Sequence, residues 1–381
     1  MLKIHDLARQ NLHLLSEFKE VLDRIVSKSA FILRDEVREF ETSVRNFLKE
    51  DVEVIGVNSG TDSLFLGLHG MGLRPGDEVI VPSRTYIASV SSIVHLKLVP
   101  RFVDVGHDLN IDINEIESHI TESTKAIMPV HLSGHSCDMA SITRIAREHN
   151  LKVIEDAAPT FGGKFQNRHV GTFGDYGAIS LHPLKVFGVL GDGGLLITKA
   201  NDSEYLRTFR DHGHPQPKNE EQFISFGVNS RLDNLQAGFA NIKLRYVNSW
   251  IDRRREIAKH YSTKLLGTCV GSQVTNYLSN MNPSSNYFDT FSSYVLCVEN
   301  PAKFSEFMLN GEFPVETSRD FPKPIHNHPN LQKFLPVSAS RPLRNTEYFA
   351  PRTVKVPIYP ELSDAEVDSV SEKLRLYFES I

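Results

Sequence analysis

One lysine of the sequence stands where an amine could do chemistry. Lys185 follows the apolar stretch AISL (178–181) and a His-Pro pair, and a glycine-rich turn comes after it. An amine whose pKa is lowered by burial or by nearby cations can form a Schiff base with a carbonyl compound. The alternative, for this residue taken alone, is an ordinary solvent-exposed loop lysine.

Two carboxylates end an apolar stretch that lies earlier in the chain. Glu155 and Asp156 close the segment KVIED (152–156), which has the pattern of a buried strand. In a parallel sheet, ligands gather at the carboxyl ends of the strands, so a carboxylate there can hold a ligand cation. The alternative is a carboxylate that caps a following helix.

The segment NSGTDSL (58–64) precedes a helix-like apolar run. The free N–H groups at the start of a helix, together with hydroxyl groups, form a site for an anion such as a phosphate. The alternative is a simple N-cap by Thr61 or Asp62, since such residues commonly cap helices.

Three other patterns do not support a site of their own. His131, His135 and Cys137 lie close together, but no second ligand pair follows at zinc-finger spacing, so we expect no metal. The run GVLGDGG lacks the frame of a dinucleotide or Walker loop. The sequence HNH at 326–328 matches the name of a nuclease motif, but no other feature of the sequence supports a nuclease.

Short apolar runs alternate with helical patterns through much of the chain, which favours an α/β fold with a mostly parallel, mixed central sheet flanked by helices. The predicted strands are 78–82, 99–105, 126–130, 152–156, 178–181 and 194–198. Helices are predicted in the first ~30 residues on Leu15, Phe18, Leu22 and Ile25, around Val37 to Phe47, at 138–150, at 250–266, and after a capping box at Ser363 to Glu366. The stretch 278–290 is predicted to be a loop.

The alternation weakens after about residue 248. We therefore predict an N-terminal arm and large domain over 1–248 and a smaller α+β domain over 249–381, which contains a strand candidate at 293–298. The length of 381 residues suits such a pair.

The overall composition excludes several classes of function. The net charge of −5 gives no basic excess for nucleic-acid phosphates. No apolar run is long enough for a membrane helix, and the N-terminus does not have the pattern of a signal peptide. Three scattered cysteines indicate a reducing compartment, so we expect a cytoplasmic protein.

Taken together and in order, the motifs resemble a known family. NSGTDSL, PGDEVIVPSRTYIAS, VIEDAAPTFGG, GDYGAISLHPLK, GDGGLLIT, FGVNSRLDNLQAG and VPIYPELSDAEVDSV are similar to motifs of the DegT/DnrJ/StrS-type sugar aminotransferases. The resemblance covers about residues 30 to 380. It implies the aspartate-aminotransferase fold (fold type I) and pyridoxal 5'-phosphate (PLP) as cofactor, held by the large domain and passing through the pyridoxamine phosphate form during turnover.

The resemblance also implies roles for individual residues. Lys185 matches the lysine that forms the internal aldimine and moves protons, and Asp156 matches the carboxylate that pairs with the pyridine nitrogen. Further cofactor-binding positions are Gly60, Thr61 and Ser180 at the phosphate, Asp62 beside them, Tyr86 stacked on the ring, and Asn229 given to the other subunit of a homodimer with shared active sites. Substrate-side candidates are Arg231, His326 and His182.

The implied reaction moves an amino group from L-glutamate to a nucleotide-linked keto sugar to make an amino sugar. The motifs slightly favour an amino group on the third ring carbon over the fourth. Pro159 stands where the family commonly has a glutamine that bonds the cofactor's phenolic oxygen, and proline cannot do so. Two alternatives stay open: a PLP-dependent nucleotide-sugar dehydratase, which the lysine at 185 disfavours, and a non-enzymatic PLP-binding regulator.

Overall fold

The structure is a computed structural model that describes residues 1–215, 222–332 and 342–381. Its helices are α1 (Leu7–Leu12), α2 (Leu15–Ser27), α3 (Asp35–Leu48), α4 (Gly60–Gly70), α5 (Ile87–His95), α6 (Ile113–Ile116), α7 (Met139–Glu148), α8 (Ala200–Phe209), α9 (Asn234–Leu244), α10 (Val247–Leu265), α11 (Gly271–Asn280), α12 (Pro301–Leu309), α13 (Pro329–Gln332), α14 (Arg344–Phe349) and α15 (Asp364–Glu379). None of these described helices is both long and apolar enough to cross a membrane.

The strands of the described residues form three sheets. They are β1 (Glu53–Val57), β2 (Glu78–Pro82), β3 (Val99–Val103), β4 (Thr124–Ile127), β5 (Lys152–Asp156), β6 (Lys164–Phe165), β7 (Arg168–His169), β8 (Tyr176–Ser180), β9 (Gly194–Thr198), β10 (Tyr287–Phe288), β11 (Tyr294–Cys297), β12 (Ser318–Arg319) and β13 (Thr353–Val356). Within the described residues, a seven-stranded sheet has the order β1-β9-β8-β5-β4-β2-β3. Only β9 runs antiparallel to its neighbours in that sheet.

The central sheet is buried on both faces, as expected for a parallel sheet between helices. In β2, Val79 and Val81 join one apolar cluster, and Ile80 between them joins another. Because successive side chains of a strand point to opposite faces, the two clusters lie on opposite sides of the sheet. The predicted α/β class with a mostly parallel, mixed sheet is confirmed.

The predicted strands are present, and three of them have the predicted bounds. β2, β5 and β9 match 78–82, 152–156 and 194–198. The strands predicted at 99–105 and 126–130 end earlier as regular strands, at Val103 and Ile127. Beyond these residues the pairing continues as isolated bridges, of Val105 with Ile111 and of Val130 with Asp156. Apolar character alone does not show where regular pairing ends.

Two local predictions are wrong. The buried stripe of α2 consists of Phe18, Val21 and Ile25, whereas Leu15 and Leu22 lie beside it and are partly exposed. The stretch 278–290 is not a plain loop, since it contains the end of α11 and the strand β10, which pairs with β6. The stretch is polar and rich in turn residues, so its sequence does not indicate a two-residue strand that forms by pairing with β6.

The C-terminal part forms a second apolar cluster around the antiparallel sheet β11-β13-β12. The helix α10 links the clusters, since Trp250 in its first turns joins the core of the large sheet and Tyr261 in its later turns joins the C-terminal core. Leu2 also packs with the C-terminal cluster. The division into 1–248 and 249–381 stays a prediction. The capping box predicted at Ser363 and Glu366 is present at the start of α15.

Candidate active site

The carboxyl edge of the central sheet gathers most of the predicted site. The parallel strands β1, β2, β5 and β8 all end at this edge, and a cavity of about 490 Å³ opens beside it. Of the residues predicted from the sequence, those lining the cavity are Gly60, Thr61, Tyr86, Asp156, Ser180, His182 and Lys185. Residues separated by more than a hundred positions meet there because parallel strands present their ends on the same side.

Lys185 reaches the cavity from the loop that follows β8. Its backbone N–H donates to the His182 carbonyl at 2.9 Å, which forms a turn. A Cβ on Gly188 would lie 2.5 Å from that same carbonyl oxygen, so the turn requires glycine there. The lysine side chain is partly buried, and its pKa is lowered, mainly by burial; the negative charge of Asp156 opposes the shift and the positive charge of Lys355 adds to it. A larger fraction of this amine is therefore neutral than in an exposed lysine.

Asp156 ends β5 and is only 4% exposed. Its carboxylate accepts a hydrogen bond from the Ser89 hydroxyl at 2.6 Å and one from the Ala158 backbone N–H at 3.2 Å. Burial raises its pKa, while these bonds and the nearby Lys185 favour the ionised form. The backbone after Asp156 forms a turn and not a helix, so the carboxylate is not a helix cap. A cation placed against it in the cavity would gain a buried partner.

The N-terminus of α4 forms a further wall of the cavity. Its N-cap is Ser59, whose hydroxyl accepts from the Asp62 backbone N–H at 3.1 Å, so the prediction of a cap by Thr61 or Asp62 is wrong. Ser59 was missed, although a serine just before an apolar helix is the expected signal. A Cβ on Gly60 would lie 2.7 Å from the Cβ of Ser180, so glycine allows the helix start to approach β8. The first N–H groups of α4 carry partial positive charge, which favours an anion.

Aromatic and polar side chains complete the cavity. Tyr86 precedes α5 and is 59% exposed, with its ring centroid 6.4 Å from that of Phe321. The Nδ1 atom of His182 accepts from the Leu184 backbone N–H at 3.3 Å. Pro159 also lines the cavity and offers it no side-chain hydrogen bond.

Three predicted residues lie outside the cavity lining, around the strand-like segment before α9. The Asp62 carboxylate accepts from the Ser230 hydroxyl at 2.7 Å. Arg231 donates to the Asp211 carboxylate at 2.9 Å. Asn229 pairs with Asp211 through an isolated β-bridge, and its side chain is exposed. The predicted roles of these three residues stay predictions.

His326 also lies outside the cavity lining. Its Nδ1 atom bonds the Ser83 hydroxyl, and its Nε2 atom lies 3.3 Å from the Glu347 carboxylate. The ring therefore contacts the segment between β2 and Tyr86. The structure does not bring His326 together with Lys185 in this cavity, and its predicted substrate role stays a prediction.

The cavity also contains residues that the sequence analysis did not single out. His5, Asp320, Phe321 and Lys355 line it from the N-terminal segment and the C-terminal part of the chain. No local pattern marks these residues, because they come from segments far from the motifs and only the fold brings them together.

The histidines and cysteine that resemble a zinc cluster have other partners. His131 bonds the Glu155 carboxylate at 3.0 Å and accepts from the Cys137 backbone N–H at 3.0 Å. His135 bonds Asp289 at 3.0 Å. In the part of the chain that the structure describes, no group of His, Cys, Asp and Glu side chains has the arrangement of a metal site.

Comparisons with known proteins give a consistent result. The model of the DegT/DnrJ/EryC1/StrS aminotransferase family matches residues 13–375. The dTDP-3-amino-3,6-dideoxy-alpha-D-galactopyranose transaminase of Aneurinibacillus thermoaerophilus is 35% identical over 99% of both chains. A pleiotropic regulatory protein of Geobacillus stearothermophilus is 33% identical over 98% of this chain and 97% of its own.

A solved structure of NtdA from Bacillus subtilis, with bound cofactor PMP, superposes with a TM-score of 0.84. It is 30% identical to this chain, and the match covers 96% of this chain and 82% of that one.

Proposed function

This chain belongs to the DegT/DnrJ/EryC1/StrS aminotransferase family, and from that premise we propose that it is a PLP-dependent aminotransferase that moves an amino group from glutamate to a nucleotide-linked keto sugar. One observation carries the proposal. Lys185, Asp156 and the N-terminus of α4 line a single cavity, so an amine, a carboxylate and an anion site are available to the same ligand.

The residues present fit this coenzyme. PLP has an aldehyde, a basic ring nitrogen and a phosphate, and the cavity offers one matching group for each. The close approach of Gly60 to Ser180 leaves no room for a Cβ between helix and strand, as expected where backbone groups must reach a phosphate. Tyr86 supplies an aromatic face at the same cavity.

The protein residues have separate tasks in the proposed reaction. When bound, the coenzyme supplies a conjugated ring that takes up the electron pair released as a proton leaves the substrate carbon. The Lys185 amine would bind the aldehyde group in the resting enzyme and would carry protons between carbon atoms during transfer. The Asp156 carboxylate would keep the ring nitrogen protonated. The phosphate would be held by Ser59, Gly60, Thr61 and Ser180.

The substrate class rests on the relatives. The transaminase of Aneurinibacillus thermoaerophilus is named for a sugar with its amino group at carbon 3 and a dTDP carrier. We propose a keto sugar nucleotide as acceptor and carbon 3 as the favoured position. Glutamate becomes 2-oxoglutarate in the first half of the reaction, and the amino sugar leaves in the second.

We propose a homodimer as the working unit, with Asn229 reaching the coenzyme phosphate of the second copy. Its side chain is exposed, and the next residue, Ser230, donates to Asp62 of α4, which supports this role. We also propose the cytoplasm as the compartment, supported by the free state of Cys137, Cys269 and Cys297.

The direct test of the activity is product analysis. The purified, coenzyme-loaded enzyme is incubated with glutamate and a panel of 3-keto and 4-keto sugar nucleotides, and the products are identified by mass spectrometry. We expect an amino sugar nucleotide together with an equal amount of 2-oxoglutarate. Loss of a hydroxyl group without gain of an amine would indicate the dehydratase instead, and no product with any acceptor would contradict the proposal.

A second candidate function has one observation in its favour. The relative from Geobacillus stearothermophilus is named as a regulatory protein. A regulator needs no acid against the ring nitrogen and no proton-carrying amine, whereas this cavity has both groups. If Lys185→Ala left the biological output of the protein unchanged in its host, the regulatory function would replace the enzymatic one.

A further inference from the structure

A buried cluster of charges borders the cavity that the predicted coenzyme residues line. Arg84, which is 1% exposed, forms an ion pair with Asp320, which is fully buried. Lys355 lies on the other side of the same carboxyl group, with its Nζ atom 2.6 Å from Oδ1 of Asp320. Asp320 and Lys355 both line the cavity.

The charges in this cluster do not balance. Asp320 is one anion shared by two cations, so the group has one positive charge in excess. Within the described residues, the Nε and Nη1 atoms of Arg84 have no hydrogen-bond partner, and no second acid serves the guanidinium. His5 adjoins Lys355, and burial is the main cause that lowers its pKa to about 4, so it is neutral at physiological pH. The other acids of the lining are Asp156, whose charge acts on Lys185, and Asp192, which is solvent-exposed and screened.

The excess charge lies in the same cavity as the reacting amine, since Lys355 and Lys185 both line it. The Lys355 side chain is 23% exposed, whereas its partner Asp320 has no exposure, so Lys355 is the accessible member of the pair. The positive charge of Lys355 also contributes to the lowered pKa of Lys185. A ligand that occupies the space before Lys185 therefore meets a second cation.

One residue of the cavity lining, next to Asp320, has an unusual backbone conformation. Phe321 follows Asp320 with a φ of 48°, a left-handed value that is costly for an aromatic residue. Its ring centroid lies 5.4 Å from the Lys355 Nζ atom and 6.4 Å from the Tyr86 ring. Residues held in such conformations cluster at ligand sites, where the surrounding structure fixes them.

We infer that Lys355, positioned by Asp320, binds a carboxylate group of a substrate in this cavity. The inference rests on the proposed function, since it assigns a substrate group to the same site. A carboxylate can come from two sources: the amino donor, which carries one on the carbon bearing its amine, or a keto sugar that is itself a sugar acid. An ammonium ion with an open approach recognises either one.

The first experiment measures binding without turnover. Glutarate, which has the carboxylates of glutamate but no amine, is titrated into the coenzyme-loaded enzyme by calorimetry. We expect its Kd to rise about tenfold or more in Lys355→Met and in Lys355→Gln, because a charged hydrogen bond is lost. Lys355→Arg should stay close to the wild type. Lys152→Met is the matched control, since Lys152 is also a strand lysine with one carboxylate partner, Asp175, but lies outside the cavity lining.

The second experiment separates the two sources. If the donor supplies the carboxylate, Lys355→Met raises KM for glutamate about tenfold or more and leaves kcat nearly unchanged. If the sugar supplies it, the same variant loses its preference for an acidic over a neutral keto sugar nucleotide. Gln is used beside Met because it keeps a polar contact with Asp320 if the Met variant does not fold, as judged by thermal melting.

The inference is overturned if Lys355→Gln folds and equals the wild type in glutarate binding, in KM for glutamate and in sugar preference. A different pattern tests the proposed function: if the wild type itself transfers no amino group from glutamate, that function fails. The glutarate titration still decides the carboxylate site in that case, because it needs no turnover.

Discussion

Burial shifts the pKa values of Lys185 and Asp156 in opposite directions. Burial lowers the pKa of the amine and raises the pKa of the carboxyl group, and each charge opposes the shift of the other. A ligand with an electrophile at one end and a base at the other can therefore react with the neutral amine and, once its base is protonated, pair with the carboxylate. This pairing of a reactive amine with a buried acid is the residue-scale basis of the proposed activity.

The first prediction concerns Asp156→Asn. The amide has nearly the same shape as the carboxylate and keeps an oxygen that can accept from the Ser89 hydroxyl, but it cannot balance a protonated ring nitrogen. We expect the rate of amino transfer to fall by about two orders of magnitude, since a charged hydrogen bond contributes roughly 1.5–3 kcal/mol. Stopped-flow measurement of the glutamate half-reaction checks this. A rate within about threefold of the wild type would show that Asp156 does not pair with the ring nitrogen.

The second prediction concerns pH. The neutral amine is the form of Lys185 that binds an aldehyde, and its pKa lies below the ordinary lysine value of 10.5. The rate of PLP uptake by the apoenzyme should therefore rise with pH with its midpoint below 10.5, because half of the amine is already neutral at a lower pH. Rapid-mixing absorbance measurements over a pH series record this rate. A midpoint at or above 10.5 would mean that the pKa of Lys185 is not lowered.

The residue types of the site could be predicted from the sequence, but not all of their surroundings. Lys185, Asp156 and Gly60 stand in motifs whose order identifies the family, and the structure places them in one cavity. Asp320 and Lys355 follow no motif and lie 35 positions apart in sequence. Their contact depends on the pairing of β12 with β13, which short strands do not reveal in advance.

At the scale of elements, the site depends on where helices and strands end. The start of α4, the end of β8 and the start of β9 meet so closely that two positions leave no room for a Cβ atom. Gly60 and Gly194 are both in this contact: a Cβ on Gly194 would lie 2.3 Å from the Ser59 backbone. Six strands of the large sheet were predictable from their apolar runs, but β1 was not predicted, and this close approach is a property of the packed sheet.

The third prediction therefore concerns Gly60→Ala. The added methyl group would lie 2.7 Å from the Cβ of Ser180, so helix and strand must move apart and the phosphate site must widen. We expect the coenzyme Kd to rise about tenfold or more, since overpacking at a close contact typically costs about 1–3 kcal/mol. Fluorescence titration of the apoenzyme with PLP measures it.

The matched control is Gly267→Ala. No atom lies within 4 Å of a Cβ built at Gly267, so its coenzyme Kd should equal that of the wild type. If Gly60→Ala bound PLP as tightly as the control did, the phosphate would not be held by this helix start.

At the scale of the whole molecule, two sheets and an N-terminal segment enclose one site. The large sheet supplies the coenzyme residues, and the C-terminal sheet supplies Lys355. The N-terminal segment, joined to the C-terminal part through a bridge of Leu2 with Val315, supplies His5. The α/β class was predictable from the alternation of strands and helices, but the return of the first residues to the cavity was not, because no local pattern indicates a contact over 300 positions.

The fourth prediction concerns the proposed dimer. If Asn229 serves the site of the second copy, then mixing unfolded Lys185→Ala and Asn229→Ala chains and refolding them together creates mixed dimers with one intact site. We expect recovery of roughly a quarter of wild-type activity, since about half of the dimers are mixed and each has one working site. The separate variants should be nearly inactive.

Refolding Lys185→Ala with Asp156→Asn is the control, because both residues serve the site of their own chain and no site is restored. Equal activity in the two mixtures would mean that Asn229 acts within its own chain. A monomer in size-exclusion chromatography would remove the basis of the shared site altogether.

The central claim is that one amine of this chain binds an aldehyde coenzyme. The measurement is reduction of the PLP-treated protein with borohydride, followed by proteolysis and mass spectrometry of the peptides. We expect the phosphopyridoxyl group on Lys185 alone, and no such peptide from Lys185→Ala. A protein that takes up no coenzyme, or that carries the group on other lysines in equal amount, would contradict the account.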